Sequence, residues 1–313
     1  MKGLKIISTG SAIPSRLVTN DDLSKIVDTS DEWIYPRTGI RSRFFCNEGE
    51  STNSLALDAA RAALDKSGID KKDIGCVICA TVTSDYVTPS CACLVQAALE
   101  LPNDIPVLDI NAACSGFLYG LEVARGLLNS TGGRYGLVIG AEQLSRILDM
   151  TDRSTCVLFG DGAGAVVVEA DEDALYDSVL GARGGHQISC KGVGYGTNYV
   201  HMEGNEVFKF AVDALPKCIF ELQKRHSFTL DEISKVVCHQ ANSRIIDHCV
   251  KKLKADPDKF YKNMDHFGNT SAASIPLALA ELDEKGMIKS GDKLLLVGFG
   301  SGLTWAGTLI TKE

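Results

Sequence analysis

Short apolar, β-branched runs alternate with amphipathic stretches along the whole chain. That rhythm predicts an α/β protein. The opening MKGLKIIS reads as a strand. Residues 53–66 (NSLALDAARAALDK) place Leu55, Ala59, Ala62 and Ala63 on one face of a helix. CVICATV at 76–82 predicts a buried strand, 90–101 a helix and PVLDINA at 106–112 another strand. A helix over 116–129 follows, with Leu118, Leu121, Ala124, Leu127 and Leu128 at helical spacing. GLVIGAE (136–142) and AGAVVVEA (163–170) read as two more strands. The second half predicts helices over 207–224, 243–253 and Asn269–Leu282. Its strands are ISKVVCHQ (233–240), DKLLLVGFGSG (292–302) and LTWAGTLI (303–310).

The two halves repeat one plan. VLDINAACSGFLYGLEVARGLL followed by GRYGLVIGAE stands in the first half. NMDHFGNTSAASIPLALAELD followed by SGDKLLLVGFG stands in the second. Each reads as strand, sharp turn of small residues, helix, then an apolar strand ending near glycine. Such self-similarity, at a period far above solenoid lengths, predicts two fused β/α halves. The acidic stretch EADEDALYD, near Glu169 to Val179, interrupts the pattern. It divides the chain into 1–172, carrying Cys114, and 173–313, carrying His239 and Asn269. The two helix starts of a paired duplication can face one site, and Cys114 and Asn269 stand at nearly equivalent places.

Composition narrows this reading. A chain of 313 residues exceeds one simple core. The balance of 45% hydrophobic and 23% charged residues is that of a soluble globular protein. A net charge of -8 argues against a surface built for nucleic acid. The first residues lack a signal-peptide pattern, and no run approaches the roughly 18 apolar residues of a membrane span. The expectation is a cytoplasmic protein without membrane contact. Eleven cysteines scattered over a long chain do not make a disulfide scaffold. Cys76 and Cys79 form a CxxC, and Cys91 and Cys93 a CxC. Strand alternation puts Cys76 and Cys79 on opposite faces, which favours buried inert thiols over a metal site.

Three residues stand out as carriers of chemistry. Cys114, in DINAACSGF, falls between a strand and a helix. Unpaired N–H groups and the helix dipole at such a place lower a thiol pKa. His239, in CHQAN, ends a strand on the side where α/β proteins build their sites. Asn269, in HFGNTSAASIP, is either a helix cap or a site residue, and His266 in the same loop is an alternative partner. GFGSG at 298–302 fits neither the dinucleotide nor the P-loop spacing. It suits a turn whose N–H groups face an oxyanion, or a plain hairpin. GDGAGA from Gly160 is equally open.

Taken together, these segments resemble the β-ketoacyl-acyl-carrier-protein synthase III family. DTSDEWI, RTGIRSR, DINAACSGF, CVLFGDGAGAVVVE, HMEGNEVFKFAV, CHQAN, FGNTSAASIP and GFGSGLTWAG occur in the family's order over nearly the whole length. The resemblance implies a thiolase-like α/β fold, with duplicated βαβαβ halves in a five-layered arrangement. It implies a Cys114–His239–Asn269 triad, with backbone N–H groups of Cys114 and Ser301 as the oxyanion hole. The implied activity is acyl transfer from acyl-CoA to Cys114, then decarboxylative condensation with malonyl-acyl carrier protein. No cofactor is implied. Trp33, Arg37, Arg153, Gly204, Phe208, Ala241 and Asn242 are the implied CoA contacts. Arg244, Lys251, Lys252, Lys254 and Lys209 form a basic cluster suited to the acidic carrier protein. Thr88 replaces a bulkier aromatic of several relatives, which implies room for a longer or branched primer. Relatives form homodimers, so a homodimer is expected. A starter enzyme or acyltransferase of secondary metabolism with the same fold is the alternative reading. Ser301 departs from the Gly or Ala common in relatives, and is tolerable if its φ is negative.

Overall fold

The computed structural model describes residues 1–192 and 199–313. Ten strands form the main sheet among the described residues. In chain order they are β1 (Gly3–Ala12), β2 (Ile74–Ala80), β3 (Val107–Ile110), β4 (Tyr135–Glu142) and β5 (Gly162–Asp171). The second set is β6 (Tyr176–Ala182), β7 (Lys235–Cys238), β8 (Phe260–Tyr261), β9 (Lys293–Gly300) and β10 (Thr304–Lys312). Seven helices matter for the site. They are α1 (Asp31–Thr38), α2 (Thr52–Ser67), α3 (Cys91–Leu99), α4 (Gly116–Thr131), α5 (Gly204–His226), α6 (Ser243–Leu253) and α7 (Ser274–Glu284).

The spatial strand order of the first set is β3-β2-β4-β5-β1. That of the second is β8-β7-β9-β10-β6. Both follow the same path through their five strands. In both, the first two pairings are parallel: β2 with β3 and β4, and β7 with β8 and β9. The last two pairings are antiparallel in both. A seam of only two residue pairs, Lys5 with Thr311 and Ile6 with Lys312, joins β1 to β10.

Alternation along the strands sorts side chains into layers. Ile78, Val138, Val166, Val237, Leu294 and Leu296 point into a central layer that also holds α4 and α7. Val77, Cys79, Leu137, Ile139 and Val167 point the other way, onto α2 and α3. Val236, Cys238, Leu295, Val297 and Leu309 face α5 and α6. Helices, sheet, helices, sheet, helices therefore stack in five layers. Both faces of each sheet are covered, which is why the strands read as continuous apolar runs. Each fully buried Leu, Ile or Val of this kind contributes about 1.5–3 kcal/mol. Cys76 lies in the central layer and Cys79 in an outer one, so the CxxC does not converge.

Several predicted boundaries move, three of them for an evident local reason. PVLDINA stops at Ile110, because the Asn111 side chain accepts the Ala113 N–H at 3.3 Å and starts a turn. ISKVVCHQ stops at Cys238, and the Gln240 amide donates instead to the Cys238 and Tyr261 carbonyls. The helix expected from Asn269 begins only at Ser274. Ser271 has φ 51, a left-handed value that an α-helix excludes. Glu169 and Asp171 end β5 and both bind Lys5, at 3.3 and 3.0 Å.

Candidate active site

Two short turns of the same form meet at the centre of the molecule. One, Ala113–Ser115, lies between β3 and α4 and has Ala113 at φ 46. The other, Ser271–Ala273, leads into α7 and has Ser271 at φ 51. The first presents Cys114. The glycine turn after β9 closes over it. A Cβ on Gly300 would lie 2.6 Å from the Cys114 backbone nitrogen, so only glycine allows this approach. Thr304 Oγ1 fastens the two turns, 3.0 Å from the Ala112 carbonyl and 2.6 Å from Ser115 Oγ. Ser301 keeps a negative φ, and its hydroxyl donates to the Ile188 carbonyl at 2.6 Å. The left-handed position of this turn is Gly302, at φ 137.

Cys114, His239 and Asn269 line one cavity of about 170 Å³. Its other walls are mostly apolar, from Leu158, Phe159, Val207, Phe208, Ile245 and Phe299. His239 is buried, with Nδ1 2.7 Å from Ser274 Oγ and its ring edge-on to Phe299. Ser274 Oγ also accepts the Gln240 N–H at 3.4 Å. Where that hydroxyl gives its proton to Nδ1, the imidazole carries its own on Nε2. Burial lowers its pKa to about 3, so it is neutral at physiological pH. Asn269 is held through its backbone, donating to Leu158 at 2.8 Å and accepting from Gly160 at 3.0 Å. Its Oδ1 accepts the Ser271 N–H at 2.9 Å, leaving the Nδ2 donors for the cavity.

The thiol departs from expectation. A helix start predicts a lowered pKa, but burial pushes Cys114 up to about 12, with the Ser271 hydroxyl pulling the other way. The resting side chain is a neutral thiol, because removal from water costs the anion more than the turn returns. His266 is not a partner. It is exposed, 3.3 Å from Asp265 and outside the cavity lining. GDGAGA is structural: Gly160 supports Asn269, and the Asp161 carboxylate accepts from Cys46 N and Ser145.

Residues 108–184 match the 3-oxoacyl-[acyl-carrier-protein (ACP)] synthase III family, and 223–312 match its C-terminal part. The β-ketoacyl-[acyl-carrier-protein] synthase III of Clostridium beijerinckii is 45% identical, over 99% of each chain. The chain belongs to the 3-oxoacyl-[acyl-carrier-protein] synthase III family. The crystal structure of the Aquifex aeolicus synthase III superposes with a TM-score of 0.93 at 43% identity, covering 99% of this chain and 100% of that one. A priming β-ketosynthase of a polyketide biosynthetic pathway gives 0.93 at 32% identity, covering 100% and 97%. The thiolase-like fold and a condensing acyltransferase activity follow from this membership.

The cavity extends outward from Cys114, His239 and Asn269. Gly204, Phe208, Ala241 and Asn242 line the same cavity. Asn242 caps α6, its Oδ1 accepting from Arg244 N at 2.9 Å, while its Nδ2 donates to the Arg37 carbonyl at 3.0 Å. That bond ties the cavity mouth to α1. Trp33 of α1 carries the guanidinium groups of Arg37 and Arg153 on its ring, at 4.8 and 4.7 Å. The three predicted nucleotide contacts therefore form one stack.

Two predicted groups are arranged otherwise. Of the basic cluster, Lys252 pairs with Asp213 and Lys209 with Glu206, each at 2.8 Å. Arg244, 5.9 Å from the Phe208 ring, and Lys251 have no carboxylate partner among the described residues. Seven residues apart on α6, they share a face about 10 Å long. Thr88 does not line the cavity of its own chain. It is exposed on the loop between β2 and α3, beside the fully exposed Val87. The base of that loop is pinned by Thr83 bonding to Thr52 and Glu142, which leaves its tip projecting outward.

Sequence reasoning missed Glu142, Ser271 and Ser274. Ser274 and Ser271 are hidden in a run of small residues. Glu142 carried one signal, a lone carboxylate ending an otherwise apolar strand.

Proposed function

We propose that the chain condenses an acyl group from acyl-CoA with malonyl-acyl carrier protein, using Cys114 as nucleophile. One observation carries this reading. His239 Nδ1 and Asn269 Oδ1 are each engaged inside the protein, and both side chains line the cavity that holds Cys114, which leaves Nε2 and Nδ2 for a bound carbonyl.

In the first step the Cys114 sulfur attacks the acyl thioester carbonyl, and CoA leaves as its thiolate. The N–H groups of Cys114 and Ser301 take the developing oxyanion. In the second step the malonyl thioester loses CO2. Its carbonyl oxygen, now enolate, accepts from His239 Nε2 and Asn269 Nδ2. A neutral imidazole suits that donation. The enolate carbon then attacks acyl-Cys114, and the β-ketoacyl-carrier protein departs. The CoA nucleotide lies against Trp33, displacing one of the two arginines stacked there, and the arm passes Gly204, Phe208, Ala241 and Asn242. Carrier protein docks on Arg244 and Lys251, with Lys209 and Lys252 at the margin. The working form is a cytoplasmic homodimer in which the Thr88 loop enters the partner's acyl pocket. Among the described residues no helix is long and apolar enough to cross a membrane.

The test is intact mass spectrometry after incubation with a series of acyl-CoAs, then malonyl-carrier protein. Acylation lost in Cys114→Ser, and discharged as a β-ketoacyl-carrier protein, supports the reading. Likeness to a priming polyketide ketosynthase keeps one second reading in play, a starter enzyme of secondary metabolism. A strong preference for an unusual primer would favour it.

A further inference from the structure

The short strand Ser42–Phe45 turns alternate residues inward, and one of them is a cation. Arg43 is wholly buried, and its described hydrogen-bond partners include no carboxylate. Its Nη1 donates to Asn20 Oδ1 at 2.7 Å, with the Val18 carbonyl at 3.5 Å. Its Nη2 donates to the Val157 carbonyl at 2.6 Å, and its buried Nε has no partner. A guanidinium so placed gives up its hydration without a carboxylate in return. An apolar side chain would fill the same space at less cost. Packing alone does not account for it.

The guanidinium holds the support of Asn269. Leu158, next to Val157, accepts the Asn269 N–H at 2.8 Å, and Gly160 donates to the Asn269 carbonyl at 3.0 Å. Phe159 between them pairs with Asn269 as an isolated parallel bridge, and Leu158 and Phe159 are both cavity walls. The neighbours of Arg43 fasten the chain just before Asn269. Arg41 N donates to the Asp265 carbonyl at 3.0 Å, and Ser42 Oγ to the His266 carbonyl at 3.1 Å. A Cβ on Gly160 or Gly268 would lie 3.0 or 3.3 Å from the Arg43 Cβ, so Arg43 lies against both sides of this support. At the far end, Asn20 Nδ2 donates to Asp31 Oδ1 and to the Ile40 carbonyl, each at 2.8 Å. Asp31 opens α1. One chain of side-chain bonds therefore runs from the helix that carries Trp33 to the segment that holds Asn269. The described hydrogen bonds of Arg43 reach neither Cys114 nor the glycine turn at 300–302.

We infer that Arg43 is a positioning residue for the condensation step: it ties residues 157–160 to α1 through Asn20, and so sets where the Asn269 amide stands in the cavity. The inference rests on the proposed role of Asn269 as a donor to the enolate. Both acceptors at the ends of the guanidinium are neutral oxygens, and a charged donor binds them more firmly than a neutral one. Burial lowers the Arg43 pKa only to about 10, so the guanidinium keeps its charge at neutral pH. Placement matters because a donor misplaced by about 1 Å can cost on the order of 100-fold in rate.

The test is a double-mutant cycle in the full chain. Mass spectrometry follows single-turnover acylation of Cys114 by acyl-CoA, then discharge of the acyl-enzyme by malonyl-carrier protein. The proteins compared are wild type, Arg43→Lys, Asn269→Ala and the double variant. Arg43→Lys keeps the charge but cannot reach Asn20 and Val157 together, so discharge should fall about 10- to 100-fold while acylation stays within about threefold. Added to Asn269→Ala, the same change should lower discharge by no more than about twofold further, because the amide it positions is gone. If Arg43→Lys fails to fold, Asn20→Ser carries the same cycle, since it removes Oδ1 and leaves Arg43 in place. A wild-type rate of discharge, an equal loss in both half-reactions, or the full loss repeated in the Asn269→Ala background would overturn the inference. Wild-type discharge in Asn269→Ala itself would instead overturn the reading of Asn269 on which it rests.

Discussion

Asn111 and Asn269 hold the same position in two copies of one turn. Each side-chain oxygen accepts the N–H two residues ahead, at 3.3 and 2.9 Å, and in each case that residue is left-handed. The correspondence pairs Cys114 with Ala272, not with Asn269. One copy of the turn supplies the nucleophile. The other supplies the amide donor, three residues earlier in the same motif.

Asn269→Ala separates the two half-reactions. Losing Nδ2 removes an enolate donor, which typically costs 10²–10³-fold. The condensation step should fall by about that factor, while acylation of Cys114 stays within about tenfold. Leaving the Ser271 N–H unsatisfied should also cost about 1–3 kcal/mol of stability. Single-turnover acylation, steady-state condensation and denaturant titration check the three parts.

Gly300→Ala tests the approach of the glycine turn. The new methyl would meet the Cys114 and Ser115 nitrogens, both backbone atoms, at 2.6 and 3.1 Å. The turn must shift. Acylation should fall at least tenfold, with a destabilisation of about 1–3 kcal/mol. Wild-type acylation kinetics would show that the turn does not position the oxyanion donors.

Two buried groups give opposite pH dependences of stability. Folded His239 binds a proton only below about 3, against 6.5 for an unperturbed imidazole. Between these values the unfolded chain binds the proton, so the stability is present above 6.5 and lost as pH falls toward 3. Folded Glu142 holds its proton up to about 7, against 4.5. Its contribution is present below 4.5 and lost as pH rises through 7. Calorimetry should find His239→Gln less acid-sensitive than wild type from pH 6.5 downward. Glu142→Gln should gain on wild type from pH 4.5 to 7. Parallel curves for all three proteins would contradict the burial argument.

Charge reversal at Arg244 and Lys251 probes carrier-protein docking. The double Glu variant should raise KM for malonyl-carrier protein at least tenfold and leave acyl-CoA transfer within about threefold. The effect should shrink with added salt, as exposed charges are screened. Lys252→Glu, whose wild-type charge is already met by Asp213, should do less.

Thr88→Phe asks whether the exposed loop shapes an acyl pocket. In a dimer, turnover of branched or long acyl-CoAs should fall at least tenfold while acetyl-CoA is spared. Light scattering would report the assembly. A uniform effect on all primers would remove Thr88 from the pocket.

The fold was largely legible because periodicity reports burial, and both sheets are covered on both faces. Cys114 and His239 were legible as candidates because each follows an apolar strand, whereas Asn269 follows a short helix, Met264–Phe267, and was singled out by the resemblance. Glu142 was not: a glutamate ending a strand looks solvated until the opposite half covers it with Ser271. The raised thiol pKa was hidden for the same reason, since desolvation is set by packing between halves. The ion pair that takes Lys252 out of the basic cluster comes from Asp213 of α5, 39 residues earlier in the chain. Helical spacing within α6 carries no information about it.

The division of labour between the turns also bears on recombination among relatives. A crossover in the turn after Asp171 would join the thiol of one parent to the amide and imidazole of another. Gly300 of one parent would also have to fit against the Cys114 backbone of the other. Each hybrid cavity would thus register how far two lineages have drifted, at the one place where neither half can compensate alone.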